Sequence, residues 1–159
     1  MSTPAQPVRA AVDAIQWQLG QLPPVDLPVT HRFTPGLYVR EIFMPAGAAV
    51  VSRVHKTEHP YVVLEGRALV WTEEAGVVEV KAGHVGITKP GTRRVLYLPV
   101  NCRWATFHPT TETDLQKLQD ELTETPDVSY LDATNGGEFP RILDLLRDAD
   151  KPKLITDTL

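Results

Sequence analysis

The chain has 159 residues, 42% of them apolar and 23% charged, with a formal charge of −4. Those figures fit one domain with extensions and a real core, and they argue against the basic surface that duplex binding normally needs. A single cysteine, Cys102, excludes an internal disulfide, and no apolar run reaches the ~20 residues of a membrane-crossing helix.

One unpaired cysteine fits a reducing compartment, and the N-terminus lacks the charged-then-apolar order of a signal peptide. A cytoplasmic protein with neither nucleic acid nor membrane as partner is expected. Fourteen prolines point to many turns and to extended ends.

In chain order, Val8, Ala11, Val12, Ile15 and Leu19 predict one face of a short helix over 8–20, with Gly20 as its C-cap. Residues 21–28 hold three prolines and read as an extended arm. Residues 1–29 thus form an N-terminal helix and arm. The helix is expected to pack on the protein's own barrel.

From 30 to 109, Val, Ile, Tyr, Phe and Trp cluster in short runs between Gly, Pro and Asn. Strands are predicted near 30–34, 37–44, 48–55, 61–66, 67–73, 77–81, 84–88, 93–98 and 103–108. This regular spacing predicts a mostly β domain, a sandwich or barrel. Residues 110–159 read as a C-terminal helical extension. Leu115, Leu118 and Leu122 give an amphipathic helix capped by Thr111 or Thr113, with Asp114 in its first turn and Pro126 beyond its end. A loop over 127–137, a last helix over 138–149 and frayed final residues complete the expectation.

The chemistry concentrates at His55-Lys-Thr-Glu-His59. On a helix this would be an inverted zinc-protease motif. Pro60 removes that reading, because it forces His59 out of the α region. On one straight strand the two histidines would stand ~13 Å apart, too far to share an ion bound at ~2 Å. They can meet only across a turn, with His55 ending one strand and His59 opening the next.

Gly47, His55, His59 and Gly66 fall into a frame that resembles the first motif of the cupin superfamily, G-x5-H-x-H-x3,4-E-x6-G. In that frame Arg53 takes the first histidine slot and His59 the glutamate slot. Gly83 and Pro90-Gly91 resemble the second motif loosely, with Arg94, or Arg93 if the turn shifts by one, where a histidine is usual. The resemblance covers about half of the chain. It implies a cupin-type double-stranded β-helix (jelly-roll barrel) with helices at both ends. The runs Gly86–Tyr97 and Trp104–His108 also resemble small cupin-like proteins of tailed phages and prophages, which carry no defined activity.

His108 ends the last barrel strand, on the same side as Trp104 and Thr106. The resemblance places that strand beside the first motif. His108 then either completes a three-histidine site with His55 and His59 or faces solvent. Such a site suits Zn, Fe, Mn or Ni, with Glu58, Tyr61, Glu65 and Thr106 as candidates to orient the rings. Arg53, Tyr61 and Arg94 are candidate substrate contacts. Arg53 could instead form a buried ion pair with Glu65 or Glu41, and Arg93-Arg94 could be a solvated turn. His31 and His84 read as structural.

Two functional classes follow. One is a metal-binding cupin that binds or transforms a small molecule, and if an enzyme then a dioxygenase, isomerase or lyase. The other is a phage- or prophage-derived structural or accessory protein whose barrel has no catalytic role. A cupin-based ligand-binding regulator ranks lower, since no helix-turn-helix is recognisable. Cupin analogy implies a homodimer.

Overall fold

The computed structural model describes residues 25–72, 75–124 and 153–154. Among these residues ten strands precede the helix: β1 (Val29–Thr34), β2 (Leu37–Met44), β3 (Ala49–Val51), β4 (Val54–His55), β5 (His59–Glu65), β6 (Arg67–Thr72), β7 (Gly76–Lys81), β8 (Val85–Thr88), β9 (Val95–Tyr97) and β10 (Cys102–Pro109). Helix α1 (Leu115–Leu122), β11 (Thr123–Glu124) and β12 (Lys153–Leu154) follow. No helix among the described residues is long and apolar enough to cross a membrane.

Two five-stranded sheets form the body, ordered β1-β2-β10-β5-β8 and β12-β7-β6-β9-β3. Strands distant in sequence lie side by side, as β10 does between β2 and β5, which is the jelly-roll pattern. Side-chain alternation points one face of each sheet at the other. Met44, Tyr61, Val63, Cys102 and Trp104 from the first sheet meet Ala68, Val70, Val78, Val80 and Leu96 from the second in one core cluster. Val63 is fully buried, and burying one such side chain is worth ~1.5–3 kcal/mol. The fold is the expected mostly β, cupin-type double-stranded β-helix.

Two glycines are fixed by space. Gly66, at φ +76°, turns β5 into β6, and a Cβ there would stand 1.9 Å from the Asn101 carbonyl oxygen. Gly86 on β8 lies under the Tyr61 ring, where a Cβ would stand 2.6 Å from ring atoms.

Three local expectations need correction. The strand expected over 48–55 divides. β3 pairs with β9, the backbone of Ser52 then bonds to that of Arg94, and β4 pairs instead with β11. The α1 cap is Asp114, not Thr111 or Thr113, and its side chain accepts from Lys117 N at 3.0 Å. The final residues, expected to fray, supply β12, which pairs parallel with the otherwise free edge of β7. The helices expected over 8–20 and 138–149 and the loop over 127–137 lie outside the described residues.

On α1, Leu118 and Leu122 are buried against Tyr38, while Leu115 is half exposed. β11 then crosses to β4, setting Thr123 opposite His55. Lys56 N donates to the Leu122 carbonyl at 2.8 Å, and Lys56 Nζ to the Asp120 carbonyl at 2.7 Å. The segment 115–124 therefore straps the end of the barrel where the histidines lie.

Candidate metal centre

Register builds the site. In the first sheet Arg40 of β2 is opposite Thr106 of β10, and Thr106 is opposite Tyr61 of β5. Tyr61 in turn is opposite Gly86 of β8. One step along, Tyr38 is opposite His108, and His59 is opposite Thr88. Continuing the β10–β5 register sets His108 beside His59. Two rows thus cross the inner face: Arg40, Thr106, Tyr61, Gly86, and Tyr38, His108, His59, Thr88.

The turn at 56–58 brings the third ring in, as the strand-rise argument requires. The His55 and His59 ring centres are 4.8 Å apart and edge-on. Those of His59 and His108 are 4.2 Å apart and tilted. His59 and His108 are buried, and His55 is half buried.

Each ring leaves one buried nitrogen without a hydrogen-bond partner: His55 Nδ1, His59 Nε2 and His108 Nδ1. The opposite nitrogens of two rings are held. His59 Nδ1 lies 2.9 Å from the Thr57 carbonyl oxygen, which only accepts, so Nδ1 carries the proton and Nε2 a lone pair. His108 Nε2 lies 2.8 Å from Thr106 Oγ1. Burial, then the neighbouring ring of His59, then Arg94 and Arg40 push the His55 pKa down to about 4. Burial and the rings of His59 and His55, with Arg40, push His108 to about 3. Burial also lowers His59, against the Thr57 hydrogen bond. All three rings are neutral near pH 7, the form that ligates metals.

Three ligand rings around one ion bound at ~2 Å would have centres about 5 Å apart, and the two spacings that involve His59 are near that value. Neutral imidazole nitrogens are the donor chemistry of divalent transition metals. Among the described residues, however, no three His, Cys, Asp or Glu side chains have donor atoms already gathered as they are around an ion.

Of the other expected site residues, Tyr61 and Arg94 come together. The Arg94 guanidinium stands 4.9 Å over the Tyr61 ring, and its Nη2 donates to Thr88 Oγ1 at 3.1 Å. Tyr61 stacks on Trp104 at 4.8 Å, and its hydroxyl lies 3.0 Å from His84 Nε2. Arg93 reaches back to the Ser52 carbonyl through Nε at 3.3 Å.

Arg53 is not brought in. The strand break at Ser52 shifts the alternation, and Arg53 is exposed. With the Gln119 amide turned to satisfy both groups, its oxygen accepts from Arg53 Nη1 at 3.0 Å and Nη2 at 2.6 Å. Nor does Arg53 pair with Glu41 or Glu65. Arg103 does so instead, at 2.8 Å and 3.8 Å. Glu58 is exposed and bonds Lys89 at 2.9 Å, so of the four residues expected to orient the rings only Thr106 does so.

Sequence reasoning missed two participants, the Thr57 carbonyl and Arg40. The Thr57 carbonyl is a backbone group that no motif marks. His84, expected as structural, supports Tyr61 from the β7–β8 turn. Arg40 is half buried on β2, in phase with the inward Tyr38 and Met44, and its charge acts on His55 and His108. That phase was the available signal.

The chain matches no family profile, and no curated protein matches it. Solved structures do. Ectoine synthase from P. lautus superposes with a TM-score of 0.52 at 10% identity, over 65% of this chain and 78% of that one. The cupin domain of Schizosaccharomyces pombe Cnp3 gives 0.46 at 20% identity, over 69% and 77%. A cupin superfamily protein from Desulfitobacterium hafniense gives 0.46 at 8% identity, over 56% and 82%. Strand order, facing sheets and the superposition on ectoine synthase agree on the fold, a double-stranded β-helix of the jelly-roll kind that the cupin resemblance implies.

Proposed function

We propose that this protein binds a divalent transition metal through His55, His59 and His108, and that the metal centre binds a small molecule. The observation that carries this reading is the set of three buried imidazole nitrogens left without partners on adjoining rings. An unpartnered buried acceptor costs ~1–3 kcal/mol, so three together favour a shared occupant. Zn, Fe, Mn and Ni all accept such a nitrogen face. When bound, the metal would supply Lewis acidity and open positions for substrate or water.

The chain's own residues have definable parts. The Thr57 carbonyl, which only accepts, fixes the proton on His59 Nδ1, and the Thr106 hydroxyl can accept one from His108 Nε2. Arg94, braced by Thr88 and the Tyr61 ring, offers a positive charge beside the rings. The strap at 115–124 covers His55 from the end of the barrel and limits water there. Whether the centre turns over its ligand or only holds it is decided by the bound molecule's chemistry.

The test is the metal content of protein purified without a chelating tag. Near-stoichiometric metal that is lost in His55→Ala, His59→Ala and His108→Ala supports the centre. Metal-free protein whose melting is unchanged by added Zn²⁺ or by EDTA overturns it.

One observation favours a second reading. The rings of His31, Tyr38, His108, His59 and His55 form a continuous ladder, and the donor atoms are not gathered. In that reading the histidines pack the barrel end of an accessory protein with no catalytic role. It predicts that the metal experiment fails and that single alanine variants lose stability without any change in metal content.

A further inference from the structure

Among the described residues, Arg32 and Arg103 on the outer surface pair with Glu41 and Arg67 pairs with Glu79, while the exposed Arg53 meets the Gln119 amide. Arg40 and Arg94 differ. Both are half buried: Arg40 lies on the face that carries the histidines, and Arg94, from the loop before β9 of the other sheet, reaches that face at Thr88 and Tyr61. Among the described residues Arg94 touches neutral groups, the Thr88 hydroxyl and the Tyr61 ring. Arg40 has no hydrogen bond or ion pair among the described residues, and the one neighbour that favours its charge is Tyr38. Among the described residues no carboxylate bears on either guanidinium.

The two charges flank the histidines from opposite sides. Sheet order runs β2, β10, β5, β8. Arg40 rises from β2, His108 from β10 and His59 from β5, and Arg94 is tied to Thr88 on β8. Strands stand ~4.8 Å apart, so the Thr88 hydroxyl that holds the Arg94 guanidinium lies three spacings, about 14 Å, from the Arg40 backbone. An arginine side chain reaches ~7 Å from its Cα. The Arg40 guanidinium can therefore approach the two rings from the β2 side while that of Arg94 stands on the β8 side. Their fields divide accordingly: Arg94 acts on His59 and His84, Arg40 on His108 and His31, and both on His55.

Two half-buried positive charges beside neutral imidazoles, with no acid nearby among the described residues, leave an imbalance that a bound metal would only increase. Desolvated charge without a counter-charge is costly. Guanidinium is also the side chain whose fork matches a carboxylate bidentately. We propose that Arg40 and Arg94 form the two ends of a binding site for a small dicarboxylate, laid across the histidine rings with one carboxylate on each arginine. A single compact oxyanion such as phosphate would satisfy one end and leave the other unmatched. The inference takes from the reading above only that a ligand binds at the histidines, and it adds the class of that ligand.

The test is calorimetric titration of EDTA-treated full-length protein, in low salt, with linear dicarboxylates from malonate to adipate. The matching monocarboxylates and inorganic phosphate serve as comparisons. Working without metal prevents chelation from imitating binding. At least one dicarboxylate is expected to bind at least ten-fold more tightly than its monocarboxylate and than phosphate. Arg40→Gln and Arg94→Gln should each weaken it at least ten-fold. If either variant melts early, Arg40→Lys and Arg94→Lys keep the charge and lose the fork, and each should still weaken binding several-fold. Equal binding of mono- and dicarboxylates, tighter phosphate, or dicarboxylate binding that survives both substitutions overturns the proposal. Metal content is measured separately. Metal without dicarboxylate binding defeats this inference alone, and dicarboxylate binding without metal defeats only the metal centre.

Discussion

Thr106 Oγ1 lies 2.8 Å from His108 Nε2, two residues along the same strand, and leaves His108 Nδ1 buried without a partner. For Nδ1 to offer a lone pair, Nε2 must carry the proton and donate it to the threonine oxygen. Thr106→Val keeps the shape and removes that acceptor. It should lower metal affinity about 10–100-fold, the usual effect of losing such an orienting bond. Competitive titration with a metal-sensitive dye reads this directly, and an unchanged melting temperature shows that the barrel is intact.

The buried histidines also set a pH dependence for metal-stripped protein. His55 and His108 titrate near 4 and 3 in the fold, against about 6.5 in the unfolded chain. Folding favours the neutral rings, so their contribution is fully present above about pH 6.5 and is lost as pH falls toward 4 and 3. Between pH 7.5 and 5, urea unfolding in EDTA should show a loss of about 1–2 kcal/mol per ring. His108→Phe should reduce the slope, whereas a slope unchanged by that substitution would mean that other groups dominate.

Gly86 gives Tyr61 its place. A methyl group at 86 would overlap the Tyr61 ring at 2.6 Å. Gly86→Ala must push the ring off Trp104 or shift β8, at a cost of about 1–3 kcal/mol. The expected readouts are a lower melting temperature and an altered near-ultraviolet circular dichroism signal from the Tyr61–Trp104 stack.

Cys102 is fully buried, and burial, with the charge of Glu65, pushes its thiol up to about 11. Thiolate is scarce at pH 8, and reagent cannot reach it. Native protein should therefore react with Ellman's reagent far more slowly than protein unfolded in guanidinium. Rapid labelling of the native state would show that the β10 edge of the core opens readily.

Much of this was legible in the sequence. Alternating β-branched and aromatic residues between glycine and proline turns marked the strands, and their spacing marked a barrel. The strand rise alone forced a turn between His55 and His59, and the turn is there. Counting along a motif placed Arg53 inward, and that failed because a count assumes an unbroken strand. At Ser52 the chain exchanges one partner strand for another, and the phase changes with it. Arg40 escaped notice for the opposite reason. Beside Glu41 it looks like an ordinary surface charge, and only its phase with Tyr38 and Met44 shows that it points inward. The Thr57 carbonyl had no signature at all, since any residue there would supply it.

The strap has a consequence for how the histidine cluster comes into being. Lys56 and Asp120 are 64 residues apart in sequence, yet the strap joins them. Closing so long a loop is entropically costly, and non-local pairings tend to form late. The β11–β4 pair is also short, with two residues on each strand. Segments held by few pairings open more readily than a core. The Lys56 amide, bonded to the Leu122 carbonyl, should exchange its hydrogen faster than the amides of β5 and β10. Its protection would rise when an occupant binds at the histidines, making one amide a reporter of both closure and ligation.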